Sequence, residues 1–343
     1  MDILTIGSAT IDVFCKTEDQ YIEIKSPHEI EKLIAFKLGS KLLINELNFM
    51  QGGGGTNCAF TFARMGLETG YLGKISDDAN GQSILLNLKK EGINFLGLIH
   101  EKNSLSWKNI KKMGENPESI KTGYSIILES MQSDRTILTH KGVNDYLFYE
   151  EIDKELIKTI PNIYSSAMDK ESLKTLIKII RNFKGNFYFN PSEYMIRNHF
   201  EEVSFLISKT HILILNREEA EAVLQKRIQK NSKLNKVLLK SYLTYEERKF
   251  LSDNLKELGA KNIIITDGTE EIFADVNGKD YFLKPHKSSN VVDTTGAGDS
   301  FSSAFVGTYI KTLDVNLALK NALKNAESVI KYYGAKTGIL SFK

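Results

Sequence analysis

The second half of the chain alternates between short apolar runs and helical patterns, and this alternation restricts the fold more than any other feature. Strand patterns at Asn186–Asn190, His211–Leu215 and Ile263–Thr266 alternate with helical patterns such as Leu173–Arg181 and Glu218–Leu224. Such alternation is typical of parallel strands that are covered by helices on both faces. The chain also begins with a short apolar run, Asp2–Ile6, which predicts another buried strand. We therefore expect an α/β fold built on a mostly parallel sheet.

A second, smaller sheet is predicted outside this core. Tyr21–Lys25, Leu33–Leu38 and Lys41–Leu47 are short strand patterns separated by turn residues. Tyr124–Glu129 and Arg135–His140 are typical of a strand pair that borders them. These patterns indicate a half-exposed sheet beside the main one.

The lysine-rich segment 226–249 contains no obvious strand pattern, and we interpret it as a surface insertion. A solvated basic helix and a partner-binding patch are both compatible with such a run of charges.

Charge balance and cysteine content exclude several classes of protein. The 45 Lys and Arg residues nearly balance the 43 Asp and Glu residues, which argues against a general nucleic-acid binder. No segment reaches the roughly 18 consecutive apolar residues that a membrane span needs, and the N-terminus is unlike a secretory signal. The two cysteines, Cys15 and Cys58, cannot form a disulfide framework. We expect a cytoplasmic protein with neither nucleic-acid nor membrane partners.

The segment 293–299, Asp-Thr-Thr-Gly-Ala-Gly-Asp, carries the strongest chemical signal. It leads into a helix predicted over Ser300–Lys311. Gly296 and Gly298 lack a Cβ, so their amides can approach a ligand at a helix N-terminus, where an anion is favoured. This arrangement suits the charge that develops on a transferring phosphoryl group, and Asp299 would accept the proton of an attacking hydroxyl group. A tight turn followed by an N-capping Asp explains the same residues without a ligand.

A run of four glycines at 52–55, followed by Thr56 and Asn57, is the second signal. Four glycines carry a large cost in conformational entropy, and close backbone approach to a polyhydroxyl ligand would justify it. A flexible hinge is the alternative. The run precedes a helix predicted over Cys58–Gly66. It is not a Walker A loop, because no Lys-Ser or Lys-Thr pair follows it, and the chain contains no GxGxxG motif for a dinucleotide.

Together, the glycine run at 53–57 and the segment 293–299 resemble the two signatures of the ribokinase/PfkB carbohydrate kinase family. The resemblance extends from Ile6 to Gly338. It implies a ribokinase-like three-layer α/β/α sandwich with a small β lid. It also implies ATP-dependent phosphorylation of a hydroxyl group of a sugar or sugar phosphate, with Mg²⁺ as cofactor.

The resemblance further implies one kinase domain over residues 1–343. The strands within 14–50 and 120–140 would form the lid, which excludes the water that would otherwise compete with the acceptor hydroxyl group. Lids of this family often pair between subunits, so we expect a homodimer through the lid.

Matching positions imply roles for individual residues. Asp299 would be the catalytic base. The implied anion hole consists of Gly296, Ala297 and Gly298. The implied substrate-binding residues are Asp12, Gly53, Gly54 and Asn57. The implied ATP-binding residues are Asn190, Asn216, Glu219, Thr266, Gly268 and Asn325. Glu219 would bind Mg²⁺ through water, and Asp293 matches the region where many members bind K⁺. In the nucleotide loop, Glu271 stands where a glycine is usual.

Other interpretations remain at this stage. Asp12 also fits an ordinary turn, and Asn216 with Glu219 fits a helix capping box. A nucleoside kinase of the adenosine type shares every motif, so it is the alternative enzyme. A non-catalytic sugar- or nucleotide-binding regulator on the same fold is the alternative from another class.

Overall fold

A nine-stranded sheet forms the centre of the part of the chain that the structure describes. The computed structural model describes residues 1–17, 21–25, 30–34, 36–129, 135–227, 243–286 and 291–342. The strands, numbered along the chain, are β1 (Ile3–Ile6), β2 (Thr10–Thr17), β3 (Tyr21–Lys25), β4 (Ile30–Ile34), β5 (Ile44–Gly52), β6 (Thr69–Leu72), β7 (Lys74–Ser76), β8 (Asn94–Phe95), β9 (Leu98–His100), β10 (Gly123–Glu129), β11 (Arg135–His140), β12 (Asn162–Ser165), β13 (Asn186–Phe189), β14 (Ile212–Asn216), β15 (Asn262–Thr266), β16 (Ile272–Val276) and β17 (Lys279–Leu283).

Helices cover this sheet on both sides. They are α1 (Gly54–Arg64), α2 (Ala79–Lys90), α3 (Leu105–Lys112), α4 (Lys154–Thr159), α5 (Lys170–Asn182), α6 (Glu193–Asn198), α7 (Phe200–Lys209), α8 (Arg217–Arg227), α9 (Tyr245–Glu257), α10 (Ala297–Thr312) and α11 (Val315–Val329). None of the helices among the described residues is both long and apolar enough to cross a membrane.

The central sheet has the spatial order β17-β16-β15-β14-β13-β12-β1-β6-β8. Its neighbours run parallel except at the edge, where β16 is antiparallel to both β15 and β17. This arrangement confirms the predicted α/β fold with a mostly parallel sheet.

Side chains alternate between the two faces of the sheet, and each face has its own hydrophobic core. Leu4 and Ile6 of β1 pack into a cluster with buried residues of α5 to α9. Ile3 points the other way, into a cluster with α1, α10 and α11. Because both faces are buried, the strands consist of continuous apolar runs, which is why the sequence pattern identifies them.

A four-stranded sheet with the order β11-β10-β2-β5 lies beside this core. Strand β2 pairs in parallel with β10 and antiparallel with β5, so Asp12 lies opposite both Ser125 and Met50. A separate hairpin pairs β3 with β4. The predicted strand pair at 124–129 and 135–140 is present as β10 and β11.

Several predicted boundaries differ from the structure. The strand expected at Leu33–Leu38 lies at Ile30–Ile34, because Leu38 and Gly39 form a turn. The strand expected at Lys41–Leu47 runs instead from Ile44 to Gly52. The helix expected from Cys58 begins at Gly54, inside the glycine run, because Gly53 is its N-cap.

The predicted insertion at 226–249 is described only at its flanks. Residues 226–227 end α8, and 245–249 belong to α9, which begins with a capping box between Thr244 and Glu247. Leu243 is buried. Residues 228–242 lie outside the described residues.

Candidate active site

Five neighbouring parallel strands each contribute at least one polar residue, at or just after their carboxyl ends, to a single cleft of about 360 Å³. In the order of the sheet, from β15 through β14, β13 and β12 to β1, these residues are Thr266, Asn216, Asn190, Ser166 and Ser8. Because parallel strands end at the same edge of a sheet, this edge is where α/β proteins bind ligands. The cleft therefore lies where the topology favours a binding site.

Asp299 faces the cleft from the first turn of α10. The N-cap of this helix is Gly296, so Asp299 is not an N-capping residue, contrary to that alternative interpretation. Asn57 Nδ2 donates a hydrogen bond to Asp299 Oδ2 at 2.8 Å. Burial raises the pKa of Asp299, whereas the hydrogen bond from Asn57 lowers it. The carboxylate is thus held in a defined orientation from the glycine segment of α1.

The helix N-terminus beside Asp299 needs a glycine at position 296. Gly296 has a φ of +76°, and a Cβ there would lie 2.2 Å from the Cβ of Ala335. Gly296 and Gly298 both line the cleft, while the amide of Ala297 donates to the carbonyl oxygen of Thr294 at 3.2 Å. Of the three predicted anion-hole residues, the structure therefore brings two to the cleft wall.

Two buried polar atoms next to Asp299 have no hydrogen-bond partner among the residues that the structure describes: Asn57 Oδ1 and Ser166 Oγ. Gly54 lies between Ser166 and the carboxylate of Asp299. A Cβ at Gly54 would be 2.8 Å from Ser166 Oγ and 3.3 Å from Asp299 Oδ1. Unsatisfied buried polar atoms are costly, so these atoms are suited to the hydroxyl groups of a ligand.

Asn216 and Glu219 form a reciprocal cap at the start of α8. Asn216 N donates to Glu219 Oε2 at 2.9 Å, and Glu219 N donates to Asn216 Oδ1 at 2.7 Å. The capping interpretation is thus correct, and both residues also line the cleft. Burial raises the pKa of Glu219 to about 7. A carboxylate beside amide oxygens is a donor set that fits Mg²⁺, which prefers oxygen ligands and retains several waters.

Of the predicted substrate-binding residues, Gly54 lines the cleft, whereas Asp12, Gly53 and Asn57 lie close to it without lining it. The side chain of Asp12 is buried, accepts a hydrogen bond from Thr10 Oγ1 at 2.9 Å and lies against Gly52. Burial raises the pKa of Asp12. Gly53 packs on the backbone of Ser8, and a Cβ on Gly53 would lie 2.5 Å from the carbonyl oxygen of Ser8.

Asp293 is buried, and both of its carboxylate oxygens accept hydrogen bonds from backbone amides. Oδ1 accepts from Thr295 at 2.8 Å and Oδ2 from Gly334 at 3.1 Å. The carboxylate therefore ties together the two loops on either side of it. A cation at this position would have to be bound mainly by backbone carbonyl oxygens.

Two of the predicted ATP-binding residues, Gly268 and Asn325, do not reach the cleft. Asn325 is fully buried and donates to Ser300 Oγ at 2.7 Å, so it joins α11 to α10. The carboxylate of Glu271 accepts a hydrogen bond from Arg248 at 3.0 Å. Glu271, the residue that departs from the family pattern, therefore forms an ion pair with α9.

Sequence reasoning missed several residues of the cleft wall, among them Ser166 and Lys141. Ser166 follows β12, whose sequence Asn-Ile-Tyr-Ser is too mixed to stand out as a buried strand. Its position directly after a strand of the parallel sheet is the signal that would have identified Ser166, had β12 been recognised. Lys141 directly follows β11, and no pattern in the sequence marks it as facing the cleft.

The chain matches the model of the pfkB family of carbohydrate kinases over residues 2–341. It is 25% identical to a sugar kinase of Archaeoglobus fulgidus over 281 residues, which cover 81% of this chain and 97% of that protein. It is also 25% identical to the deoxyribokinase of Salmonella typhimurium over 328 residues, 94% of this chain and 90% of the relative.

Solved structures share the fold over nearly the whole chain. A ribokinase from Thermotoga maritima superposes with a TM-score of 0.75 at 20% identity and covers 99% of this chain and 96% of its own. The adenosine kinase from Schistosoma mansoni gives a TM-score of 0.75 at 18% identity, with 98% and 97% covered. A putative ribokinase II from E. coli in complex with ATP and Mg²⁺ gives 0.72 at 15% identity, with 98% and 95% covered.

Proposed function

Because the chain belongs to the pfkB family of carbohydrate kinases, we propose that it transfers the γ-phosphoryl group of ATP to a hydroxyl group of a sugar or sugar phosphate, with Asp299 as the base. One observation carries this proposal. The carboxylate of Asp299 lies in the cleft at the N-terminus of α10 and is oriented by the 2.8 Å hydrogen bond from Asn57.

The proposed step uses the two carboxylate oxygens of Asp299 differently. Oδ2 accepts the hydrogen bond from Asn57, which leaves Oδ1 to accept the proton of the substrate hydroxyl group. The hydroxyl oxygen bonds to the γ-phosphorus, the bond from that phosphorus to the bridging oxygen breaks, and ADP leaves with the electron pair. The backbone amides of Gly296 and Gly298, at the start of α10, would stabilise the negative charge on the phosphoryl oxygens.

Polar residues at the ends of three neighbouring strands support nucleotide binding. Asn190 directly follows β13, Asn216 and Thr266 end β14 and β15, and Glu219 would supply a carboxylate for Mg²⁺. When bound, Mg²⁺ neutralises charge on the β- and γ-phosphates. The putative ribokinase II from E. coli was solved with ATP and Mg²⁺, which supports the same pair of cofactors here.

The unsatisfied atoms Asn57 Oδ1 and Ser166 Oγ support a polyhydroxyl acceptor. One is an acceptor only, and the other can donate or accept, so together they can bind neighbouring hydroxyl groups of a sugar ring. The names of the relatives, a sugar kinase and a deoxyribokinase, favour the same class.

A coupled assay of ADP release tests this function on pentoses, hexoses, hexose phosphates and nucleosides. We expect turnover with a sugar or sugar phosphate and a loss of about 10²- to 10⁴-fold in kcat for Asp299→Asn, because a positioned base is removed. Asp314→Asn is the matched control, since Asp314 is an exposed N-cap of α11 and Asn caps equally well.

Near-normal turnover of Asp299→Asn would exclude the mechanism. Turnover with nucleosides alone would establish the alternative enzyme. Binding of ATP and sugars without any turnover would favour the non-catalytic regulator.

The exposed face of the small sheet supports the proposed homodimer. Leu138, Ile126, Val13 and Phe49 are register partners in one row across β11, β10, β2 and β5. Val13 is buried, but Leu138 is 54% exposed and Phe49 is 63% exposed. Because monomeric proteins seldom expose contiguous apolar surface, we propose that a second copy of the chain covers this row.

A further inference from the structure

Lys336 reaches from the C-terminal segment into the glycine segment beside the candidate base. It follows the turn at Gly334 and Ala335, after α11. Its Nζ donates to Thr56 Oγ1 at 2.9 Å and to the carbonyl oxygen of Gly52 at 3.4 Å. The ammonium group also lies 5.0 Å from the centre of the Phe60 ring. Neither the glycine run nor the segment 293–299 includes this residue.

Charged groups of several elements surround the ammonium group. The carboxylates of Asp12 on β2 and Asp299 on α10 attract it, whereas Arg64 on α1 repels it and the Cys58 thiol also faces it. Burial lowers the pKa of Lys336 to about 7, against the opposing effect of the two carboxylates. In turn, Lys336 lowers the pKa of Asp299, while Asp12 raises it. The lysine is thus electrostatically coupled to both predicted site carboxylates.

We propose that Lys336 is a positioning residue for phosphoryl transfer, which holds the glycine segment that presents Asn57 and keeps Asp299 ionised next to Asp12. This inference rests on the proposed function, because it assigns Lys336 a role only through Asp299.

The hydrogen bonds explain the positioning part. Thr56 Oγ1 accepts from Lys336 and itself donates to the carbonyl oxygen of Gly52 at 2.7 Å. Thr56 directly precedes Asn57, whose side chain orients Asp299. Lys336 therefore closes a small network around the first turn of α1, the turn on which the orientation of Asn57 depends.

The charges explain how Lys336 would keep Asp299 ionised. Asp299 must be ionised to accept a proton, yet burial and the nearby Asp12 both favour its protonated form. A nearby positive charge favours the ionised carboxylate. Below about pH 7 Lys336 is protonated, so its positive charge is then present beside Asp299.

The pH dependence of kcat/KM of Lys336→Gln and Lys336→Arg tests the proposal. Glutamine keeps a hydrogen-bond donor without the charge, and arginine keeps the charge. For Lys336→Gln we expect the acidic limb to move upward by about one pH unit, since loss of the positive charge raises the pKa of Asp299. For Lys336→Arg we expect an acidic limb close to that of the unchanged protein. Lys331→Gln removes an exposed lysine of the same segment and serves as the control.

Two results would overturn the proposal. One is an acidic limb of Lys336→Gln that coincides with that of the unchanged protein. The other is an equal loss of activity at every pH in both variants, which is the pattern of a purely structural residue. If Lys336→Gln does not fold, Lys336→Arg decides, because a displaced acidic limb in that variant contradicts the role of the charge. Asp299→Asn separates the two proposals. If this variant stays active, the base assignment fails and the role of Lys336 fails with it. If it is inactive while the acidic limb of Lys336→Gln is unchanged, only the role of Lys336 fails.

Discussion

At the scale of single residues, the pair of Asn57 and Asp299 defines the candidate site. The two residues are 242 positions apart in sequence, yet their side chains share a 2.8 Å hydrogen bond. One amide of this kind orients the carboxylate through Nδ2 and keeps Oδ1 available for a ligand. Asn57 thus makes a structural contact with the proposed base, and in the proposed function it would also bind the substrate.

Substitution of Asn57 separates these contributions. We expect Asn57→Leu to lower kcat/KM about 10- to 100-fold, because hydrogen bonds to charged groups contribute about 1.5–3 kcal/mol. Its acidic limb should move upward, since the hydrogen bond from Asn57 lowers the pKa of Asp299. Asn57→Asp should move the limb further, because a second carboxylate disfavours ionisation of the first.

The pH profiles of kcat/KM of the two variants check this order. An acidic limb that is lower in Asn57→Asp than in Asn57→Leu would contradict it.

Residue identities were predictable where a motif and a strand end coincide. Asn190, Asn216, Glu219 and Thr266 follow recognisable apolar strands, and the structure brings all four to the cleft. Asn325 could not be separated from them by pattern, because an asparagine within a helix looks the same whether it faces a cleft or, as here, another helix. Lys336 was missed because its partners are set by tertiary packing.

At the scale of elements, the N-termini of α1 and α10 are both built on glycines in close contact with other backbone. The alternative interpretation of the glycine run as a flexible hinge is wrong, because Gly54 and Gly55 are the first residues of α1. Strand β2 was not predicted, since Thr-Ile-Asp-Val-Phe-Cys-Lys-Thr mixes polar and apolar residues. Residues Thr10 to Cys15 are all buried, so the mixture of residue types, and not exposure, hides this strand in the sequence.

Alanine substitutions at the two glycines of the α10 N-terminus are expected to change the stability of the protein by different amounts. Gly296→Ala should destabilise the protein by about 1–3 kcal/mol, because the left-handed backbone and the contact with Ala335 both oppose a Cβ. Gly298→Ala is the matched variant, since a Cβ there has no neighbour within 4 Å. Thermal unfolding of both variants measures the difference. Equal unfolding temperatures would argue against strain at Gly296.

At the scale of the whole molecule, the cleft and the small sheet are joined through the C-terminal segment. Tyr333 packs against Phe14 of β2, with 5.7 Å between ring centres, and Gly334 lies against Met50 of β5. The same segment carries Lys336. Contacts of the small sheet and contacts of the candidate base therefore meet within a few residues of the chain.

The proposed dimer is testable at this scale. Sedimentation velocity should give a dimer for the unchanged protein and a monomer for Phe49→Glu, because a buried charge would oppose pairing of the apolar row. Leu317→Lys is the control, since Leu317 is exposed on α11, outside the small sheet. A monomeric unchanged protein at assay concentration would refute the lid pairing.

The long sequence separation between Asn57 and Asp299 also determines when the site can form during synthesis. Strand β1 lies between β6 and β12, so it gains its second neighbour only after residues 162–165 have been made. The glycine segment gains its contacts with Asp299, and then with Lys336, later still. Partly made chains that lack these residues therefore cannot join the proposed base to the amide that orients it.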